Sequence, residues 1–332
     1  MNSDAVPLGL ALIALLMNPA SIAAQDTAPL RLVQTIPLEH VEGRIDHLAV
    51  DLKGQRLFVA ALGNNTVEVV DLKSGKPSRT LAGFHEPQGV CFLPHLNRLV
   101  VTNGGDGTCL ILDGDSLKIL QRISVGEDAD NIRYDDETPS IYVGYGQAIG
   151  IIDATSGQVS ATIALQAHPE SFQLERSGPR IFVNVPDAGQ VAIIDRAQRR
   201  VMTTWSTKLL RANFPMALDE QHHRLFVGCR RPAKLLVVDA ESGVVVTTLE
   251  SVGDVDDIFY NAQRKQLYLS GGEGALQIIE QRSANEYHTL AKLPTAPGAR
   301  TSILVPEWNQ LLVAVPHRGN RPAEIRVYAL QS

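Results

Sequence analysis

Residues Arg44 to Lys76 read RIDHLAVDLKGQRLFVAALGNNTVEVVDLKSGK, and this stretch decides the fold. It contains short apolar runs with strand periodicity, separated by polar turns that are rich in Gly, Asn and Ser. The runs lie at 47–50, 56–61, 67–72 and 79–82. Such a pattern predicts a four-stranded antiparallel meander.

The same module recurs along the rest of the chain. An acidic residue closes the third run of six modules, at spacings of 42, 40, 42, 44 and 41 residues. These residues are Asp71, Asp113, Asp153, Asp195, Asp239 and Glu280. A seventh copy, IRVYA at 325–329, has Ala329 in that position. Seven modules with this period predict an all-β fold, a seven-bladed β-propeller of four-stranded antiparallel blades.

The first apolar run after residue 25 lies before the first complete module and belongs to none of the modules in sequence. The seventh module ends at Ser332 after its third run and therefore lacks a fourth. The segment Leu30 to Leu38, LRLVQTIPL, resembles the fourth runs of the other modules. We expect this N-terminal strand to complete the last blade, which removes the open edge of the ring.

The N-terminus differs in composition from the modules. Val6 to Met17 is an apolar run, VPLGLALIALLM, and small residues follow it up to Ala24. This arrangement predicts a signal peptide at 1–24, cleaved near Ala24, and a single propeller domain at 25–332. We therefore expect a periplasmic or secreted protein without a membrane span after cleavage, although N-terminal tethering remains an alternative.

Composition excludes several classes of function. The net charge is −6 and no run of Lys or Arg exceeds two residues, which argues against non-specific nucleic-acid binding. No CxxCH, HExxH or GxSxG motif is present. Three cysteines, Cys91, Cys109 and Cys229, cannot form a complete disulfide framework, so we expect them to be small buried hydrophobic residues.

The first strand of each blade lines the channel of a propeller, and loops on one face lead into it. Counting eleven residues back from each second-run anchor gives seven entrance residues: Asp46, Gln88, Asp130, Glu170, Phe214, Asp256 and Arg300. The residues one step further in include His47, Asn131 and Asp257. Six of the seven entrances are polar and four are carboxylates. We predict a ligand site at the channel mouth, formed by Asp46, His47, Gln88, Asp130, Asn131, Glu170, Asp256, Asp257 and Arg300.

Carboxylates that converge on an axis repel one another unless positive charge lies among them or one is protonated. Arg44 or Arg300 can supply that charge, and so can a metal ion. The candidate metal ligands are Asp46, Asn131, Glu170 and Asp256. Their oxygen atoms suit Ca, Mg or Mn, and His47 extends the choice to Zn. A hydrated structural mouth and a metal-free ligand pocket are the alternatives.

One segment carries a family resemblance. VVTN at 100–103, followed by GGDGTCLILD, nearly matches the tetrapeptide of the YVTN-repeat propellers. From about Leu30 onward the chain resembles the YVTN-repeat (YncE-like) seven-bladed β-propeller family, and in particular its secreted bacterial members. This family includes proteins with no settled reaction, so we expect a binding or scaffold protein that takes a small polar or cationic ligand, or a protein partner, at the channel face.

The alternative function is a metal-dependent hydrolase that resembles the propeller lactonases and gluconolactonases. Their pattern of one Glu, one Asp and two amides around a divalent ion would be filled here by Glu170, Asn131, Asp46 and Asp256. The second amide is missing unless Gln88 supplies it, and Arg300 would compete for the site. Binding is therefore favoured over catalysis, and the catalytic residues of the alternative are unknown.

Overall fold

A computed structural model describes residues 28–207 and 209–331. The predicted signal peptide lies outside these residues. The described chain forms 28 β-strands and three short 3-10 helices, and it contains no α-helix between residues 28 and 207 or between 209 and 331. Within the same ranges no helix has the length and hydropathy that crossing a membrane would require.

The strands follow one another with short connections. In chain order they are β1 (Leu30–Leu38), β2 (Leu48–Asp51), β3 (Arg56–Ala61), β4 (Thr66–Asp71), β5 (Lys76–Leu81), β6 (Pro87–Leu93), β7 (Arg98–Asn103), β8 (Thr108–Asp113), β9 (Ile119–Ser124), β10 (Ile132–Asp135), β11 (Ser140–Tyr145), β12 (Ala148–Asp153), β13 (Val159–Ala164), β14 (Phe172–Leu174), β15 (Arg180–Val185), β16 (Gln190–Asp195), β17 (Arg200–Ser206), β18 (Arg211–Asp219), β19 (Arg224–Arg231), β20 (Ala233–Asp239), β21 (Val245–Glu250), β22 (Val255–Asn261), β23 (Gln266–Gly271), β24 (Ala275–Ser283), β25 (Glu286–Pro294), β26 (Ser302–Val305), β27 (Gln310–Val315) and β28 (Ala323–Leu330). The 3-10 helices are Leu62–Asn64, Pro186–Ala188 and Pro306–Trp308.

These strands form seven four-stranded antiparallel sheets arranged as the blades of a ring. Six blades use four consecutive strands, beginning with β2, β6, β10, β14, β18 and β22. The seventh has the order β1-β28-β27-β26, with β1 paired to β28 from Leu30 opposite Leu330 to Leu38 opposite Ala323. The predicted propeller and its closure by the N-terminal strand are both confirmed.

Strand boundaries in the first module differ slightly from the sequence prediction. The first, third and fourth runs of that module are the strands Leu48–Asp51, Thr66–Asp71 and Lys76–Leu81. The last of these begins three residues earlier than predicted, because Lys76 pairs directly with Asp71 across a tight hairpin. The apolar pattern marks the buried part of a strand, whereas the backbone ladder also includes the exposed residues beside the turn.

The recurring acid has a structural explanation. In six blades it faces the first residue of the second strand, as Asp71 faces Arg56, and in five of these it is an aspartate. Its Oδ1 atom accepts a hydrogen bond from the backbone N–H three residues later, at 2.7–2.9 Å. The pairs are Asp71 with Ser74, Asp113 with Ser116, Asp153 with Ser156, Asp195 with Gln198 and Asp239 with Ser242. The acid therefore closes the turn between the third and fourth strands of a blade.

The hydrophobic core lies between neighbouring blades. The second strands are buried on both faces, and Leu57, Phe58 and Val59 are all fully inaccessible. This packing explains why those strands read as continuous apolar runs instead of alternating ones. The cysteines follow the same pattern: all three are free thiols, Cys109 and Cys229 are buried, and burial raises the pKa of Cys91 to about 11.

Candidate ligand site at the channel mouth

Two cavities follow one another along the channel. The first, here called the mouth cavity, has a volume of about 400 Å³ and is lined by all seven entrance residues. The second, the inner cavity, has a volume of about 310 Å³ and is lined by residues further along the first strands, such as Ile132 and Met216. His47 and Ser171 line both cavities and therefore lie where the two meet.

The backbone places the entrance side chains in equivalent positions. The N–H groups of Asp46, Asp130 and Glu170 donate hydrogen bonds of 2.8–2.9 Å to the neighbouring second strand. Their acceptors are the carbonyl oxygens of Ala60, Gly144 and Asn184. The residue after each entrance accepts a hydrogen bond from the same second-strand residue. This repeated pair of bonds fixes these three entrances just before their first strands, at the same offset from the second strand. Gln88, Phe214 and Asp256 lie within the first strands β6, β18 and β22.

The predicted site residues lie together. Eight of the nine line the mouth cavity: Asp46, His47, Gln88, Asp130, Asn131, Glu170, Asp256 and Arg300. Asp257, the next residue along the strand, lines the inner cavity instead. Their role in binding a ligand stays a prediction.

Arginines neutralise two of the mouth carboxylates. Arg44 Nη2 donates to Asp46 Oδ2 at 2.5 Å. Asp256 accepts a hydrogen bond from Arg230 Nη2 and forms an ion pair with Arg300, whose Nε lies 2.9 Å from Asp256 Oδ2. The Arg230 guanidinium also lies 3.8 Å from the centre of the Phe214 ring, a cation–π contact. These pairs supply part of the positive charge that converging carboxylates require.

Two other carboxylates have incomplete partners. Asp130 Oδ2 accepts a hydrogen bond from Asn131 Nδ2 at 3.1 Å, but its buried Oδ1 accepts none. The Glu170 side chain forms no hydrogen bond or ion pair with residues 28–207 or 209–331. Burial raises the pKa of Asp130 to about 6, and burial together with the charge of Asp130 raises the pKa of Glu170 well above its usual value. Both side chains therefore present acceptor oxygens that the protein leaves unsatisfied.

His47 lies among three aspartates. Its Nε2 is 3.8 Å from Asp130 Oδ1 and 4.0 Å from Asp46 Oδ1, while its Nδ1 is 3.9 Å from Asp257 Oδ1. Burial alone would lower the pKa of His47, but the charges of Asp46, Asp257 and Asp130 outweigh it and raise the pKa above its ordinary value. The imidazole is 23% exposed and in its protonated form adds to the positive charge at the centre of the channel.

The four candidate metal ligands line one cavity, and the carboxylates of two of them are already paired. Asp46 and Asp256 are paired with arginines, and the Asn131 amide donates to Asp130. Within the described part of the chain, no group of three or more His, Cys, Asp or Glu side chains is placed to hold a metal ion. In this arrangement the set of four does not fit a divalent ion, because guanidinium groups already lie against two of its three carboxylates, Asp46 and Asp256.

Two channel arginines were not among the predicted site residues. Arg230 extends beyond the usual end of a second strand, since β19 has eight residues where β3 has six. The signal was CRRPAK, which follows the apolar run where other modules have a glycine turn. Arg133 lines the inner cavity and donates from Nη2 to Ser171 Oγ at 3.2 Å. It is a basic residue within a first strand, and nothing in the repeat pattern marked it.

Comparison with known proteins agrees with the ring architecture. No protein-family model matches the sequence. The chain is 24% identical over 200 residues to the uncharacterized protein YncE of Salmonella typhi, a match that covers 57% of this chain and 55% of the relative. YncE of Salmonella typhimurium matches with the same identity and coverage. This chain is a seven-bladed β-propeller related to YncE-like proteins.

The sequence match to the YncE relatives is partial, and the structural match shows only a shared fold. The match spans about half the length of the curated YncE relatives. A chain in the crystal structure of a mitotic checkpoint complex superposes with a TM-score of 0.78 and covers 100% of this chain and 98% of its own length. At 16% identity, that likeness shows the fold alone. The predicted YncE-like resemblance is thus confirmed, and secretion stays a prediction.

Proposed function

We propose that this YncE-like propeller is a binding protein whose mouth cavity takes a small polar ligand with a cationic, hydrogen-bond-donating group, such as a primary amine or a guanidinium. The observation that carries this proposal is the buried Asp130 Oδ1 atom, which has no hydrogen-bond partner. Glu170, also without a partner among the described residues, lines the same cavity. A donor group placed between the two would satisfy both carboxylates.

Energetics favour a bound cation at this place. An unsatisfied buried acceptor costs about 1–3 kcal/mol, and the cost is larger when the group is charged. When a ligand donates a hydrogen bond to this acceptor, the cost is removed, and the free energy gained contributes to binding. Charge-assisted hydrogen bonds from an ammonium or guanidinium group are roughly twice as strong as neutral ones. The raised pKa of Glu170 agrees with this, because burial and the charges of Asp130 and Asp256 disfavour its carboxylate form more than Arg230 favours it.

Asp46 and Asp256, the two acids paired with arginines, have a different role in this proposal. Arg44, Arg230 and Arg300 hold Asp46 and Asp256 in place, so the rim of the cavity is already neutralised. This leaves the side of the cavity near Asp130 and Glu170 as the acidic part. The lactonase-like alternative requires a divalent ion among Asp46, Asn131, Glu170 and Asp256, and the arginine pairs oppose that ion electrostatically. The geometry therefore favours binding over metal-dependent hydrolysis.

We also propose that the protein acts in the periplasm or outside the cell, as the apolar leader at 6–17 suggests. Expression of the full chain in a Gram-negative host, followed by N-terminal sequencing of the protein in the periplasmic fraction, tests this. A mature N-terminus near residue 25 is expected. Full-length protein retained in the cytoplasm contradicts the proposal.

Calorimetric titration of the purified protein with putrescine, agmatine and succinate tests the ligand class. We expect the two cationic probes to bind and succinate to bind at least tenfold more weakly. Glu170→Gln and Asp130→Asn should each weaken binding at least tenfold, because each removes one charged acceptor. Glu307→Gln is the matched control, since Glu307 is an exposed acid on the 3-10 helix Pro306–Trp308 outside both cavities.

Other outcomes overturn the proposal. If neither cationic probe binds, or if Glu307→Gln weakens binding as much as Glu170→Gln does, the mouth is not the site. A titration with CaCl2, MnCl2 and ZnCl2 addresses the alternative function. Stoichiometric metal binding that disappears in Asp46→Ala and Asp256→Ala would indicate that the site binds a metal ion and not an amine. That result would support the lactonase-like function.

A further inference from the structure

An open cleft of about 640 Å³ adjoins the mouth cavity. We call it the arginine cleft, because Arg211 and Arg231 line it together with Asp187 and Phe214. Phe214 also lines the mouth cavity and therefore separates the two spaces. The cleft is independent of the mouth carboxylates, none of which lines it.

Arg211 and Arg231 lie directly opposite each other. Arg211 begins β18, Arg231 ends β19, and the two are register partners across the antiparallel pair. Like charges in directly opposed positions of a sheet destabilise it. The placement therefore lowers the stability of the hairpin unless something negative lies between the two guanidinium groups.

No described residue supplies that negative charge. Neither arginine side chain forms a hydrogen bond or an ion pair with residues 28–207 or 209–331. Asp187, the acid that lines the cleft, forms no ion pair within 4.0 Å of either. The adjacent Arg230 differs sharply, since it is paired with Asp256 and stacked on Phe214. Of the consecutive arginines, Arg230 is engaged within the fold, and the exposed Arg231 has no partner for its donors among the described residues.

We propose that the arginine cleft binds a carboxylate group of a small ligand, held by the side chains of Arg211 and Arg231. A guanidinium group presents its N–H donors as a planar fork that matches both oxygens of a carboxylate. The two arginines and Asp187 together give the cleft a net charge of +1, which one carboxylate balances. A dianionic phosphate would exceed that charge and would lie close to Asp187.

Calorimetry and thermal unfolding of the purified full propeller, with acetate, benzoate and inorganic phosphate as probes, test this site. Ionic strength is held constant with NaCl. We expect acetate and benzoate to bind and to raise the melting temperature. Arg231→Gln should weaken carboxylate binding at least tenfold, and Arg211→Lys, which keeps the charge but loses the fork, should weaken it severalfold.

The ligand-free protein provides an independent readout. Because the opposed charges destabilise the hairpin, Arg231→Gln without ligand should melt at the same temperature as the wild type or higher. If Arg231 instead stabilised the fold, Arg231→Gln would melt at a lower temperature than the wild type. Arg31→Gln is the matched control, since Arg31 is exposed on β1 away from the cleft, and it should alter neither binding nor melting.

Four results would overturn the proposal. They are a failure of both carboxylates to bind, binding of phosphate in preference to carboxylates, an equal loss of affinity in Arg31→Gln, and a lower ligand-free melting temperature in Arg231→Gln. None of them bears on the mouth cavity, where the probes are cations and the variants are Glu170→Gln and Asp130→Asn. Failure of one proposed site is thus distinguishable from failure of the other.

Discussion

Two sets of carboxylates in this propeller have opposite surroundings. The turn acids, defined as Asp113, Asp153 and Asp239, accept hydrogen bonds from backbone N–H groups and from a serine hydroxyl in their hairpins. The second set, called the mouth acids, comprises Asp130, Glu170 and Asp256 of the mouth cavity and the adjacent Asp257 of the inner cavity. The pKa values of the turn acids are lowered, whereas those of the mouth acids are raised.

The physical causes of these shifts differ. Backbone and side-chain hydrogen bonds from Ser116 stabilise the charged form of Asp113 and lower its pKa. Burial disfavours the charged form of Asp257 and raises its pKa to about 6, although His47 opposes the shift. A carboxylate surrounded by donors stabilises the fold, while a buried carboxylate without enough donors costs stability until a cation binds. The same residue type therefore serves structure in one place and is available for binding in the other.

The largest effect should come from removing a cation at the mouth. Arg230→Gln leaves Asp256 with Arg300 alone, and the side chains of Arg230 and Asp256 are only 15% and 13% exposed. Breaking a buried pair from one side typically costs 3–5 kcal/mol, so we expect a loss of about 3 kcal/mol in the free energy of unfolding. Urea unfolding monitored by circular dichroism measures it.

A double-mutant cycle distinguishes this cause from lost packing on Phe214. Arg230→Gln combined with Asp256→Asn removes both charges, and we expect it to recover most of the lost stability. If the double variant is as unstable as Arg230→Gln, the cation–π contact with Phe214 matters more than the ion pair does. In that case Asp256 is not a destabilised acid, and it does not belong with the other mouth acids.

The pH dependence of stability should separate the two sets. The folded-state pKa of Asp130 and of Asp257 is about 6, above the usual value of an unfolded aspartate. A raised carboxyl pKa means that the folded state binds the proton more tightly, so stability falls as pH rises from about 4 to about 7. His47 acts in the same direction, because its raised pKa contributes stability at low pH that is lost as pH rises through the folded-state value.

We expect this decrease to be about 2 kcal/mol for each of the two carboxyls, measured by urea unfolding at half-unit intervals between pH 4 and pH 7.5. The double variant Asp130→Asn/Asp257→Asn should flatten the curve across that window. The turn acids have lowered pKa values, so their contribution is lost only as pH falls below the usual aspartate value. A wild-type curve that matches the double variant between pH 4 and pH 7.5 would contradict the raised pKa values.

The fold was predictable from the sequence because its determinants are local and repeated. Each blade carries the same second-strand run, and six of the seven carry an acid at the end of the third strand, as Arg56 and Asp71 illustrate. Even closure by β1 could be inferred, since the seventh module lacked one strand and the segment Leu30–Leu38 supplied it. The repeat period, together with the turn chemistry, was sufficient for the topology.

The sequence was sufficient to predict which residues line the mouth cavity, but not which of their side chains pair with one another. A constant offset identified the seven entrance residues, and all of them line the mouth cavity. The pairing among them depends on side-chain reach across blades: Arg230 on β19 contacts Asp256 on β22, 26 residues away in sequence. No periodic signal reports which carboxylate meets an arginine and which stays unpaired, so the distinction between Asp256 and Glu170 required coordinates.

The smallest effect should come from a single turn acid. Asp239 Oδ1 accepts hydrogen bonds from the backbone N–H and the hydroxyl of Ser242, and Asp239 Oδ2 accepts one from Arg224. Asp239→Ala should lower the free energy of unfolding by about 1 kcal/mol, because one hairpin loses its side-chain acceptor while its backbone ladder remains. Thermal and urea unfolding, with Asp239→Asn as the conservative control, measure this.

Glu170→Gln should change the free energy of unfolding in the opposite direction to Asp239→Ala, measured in the same assay. Neutralising a buried acid that has no partner among the described residues should leave ligand-free stability unchanged or raise it slightly, even though ligand binding is lost. If Asp239→Ala and Glu170→Gln destabilise the protein equally, both acids are structural. The difference in pKa direction would then reflect burial alone, and the case for a binding role of Glu170 would have to rest on titration with cationic ligands.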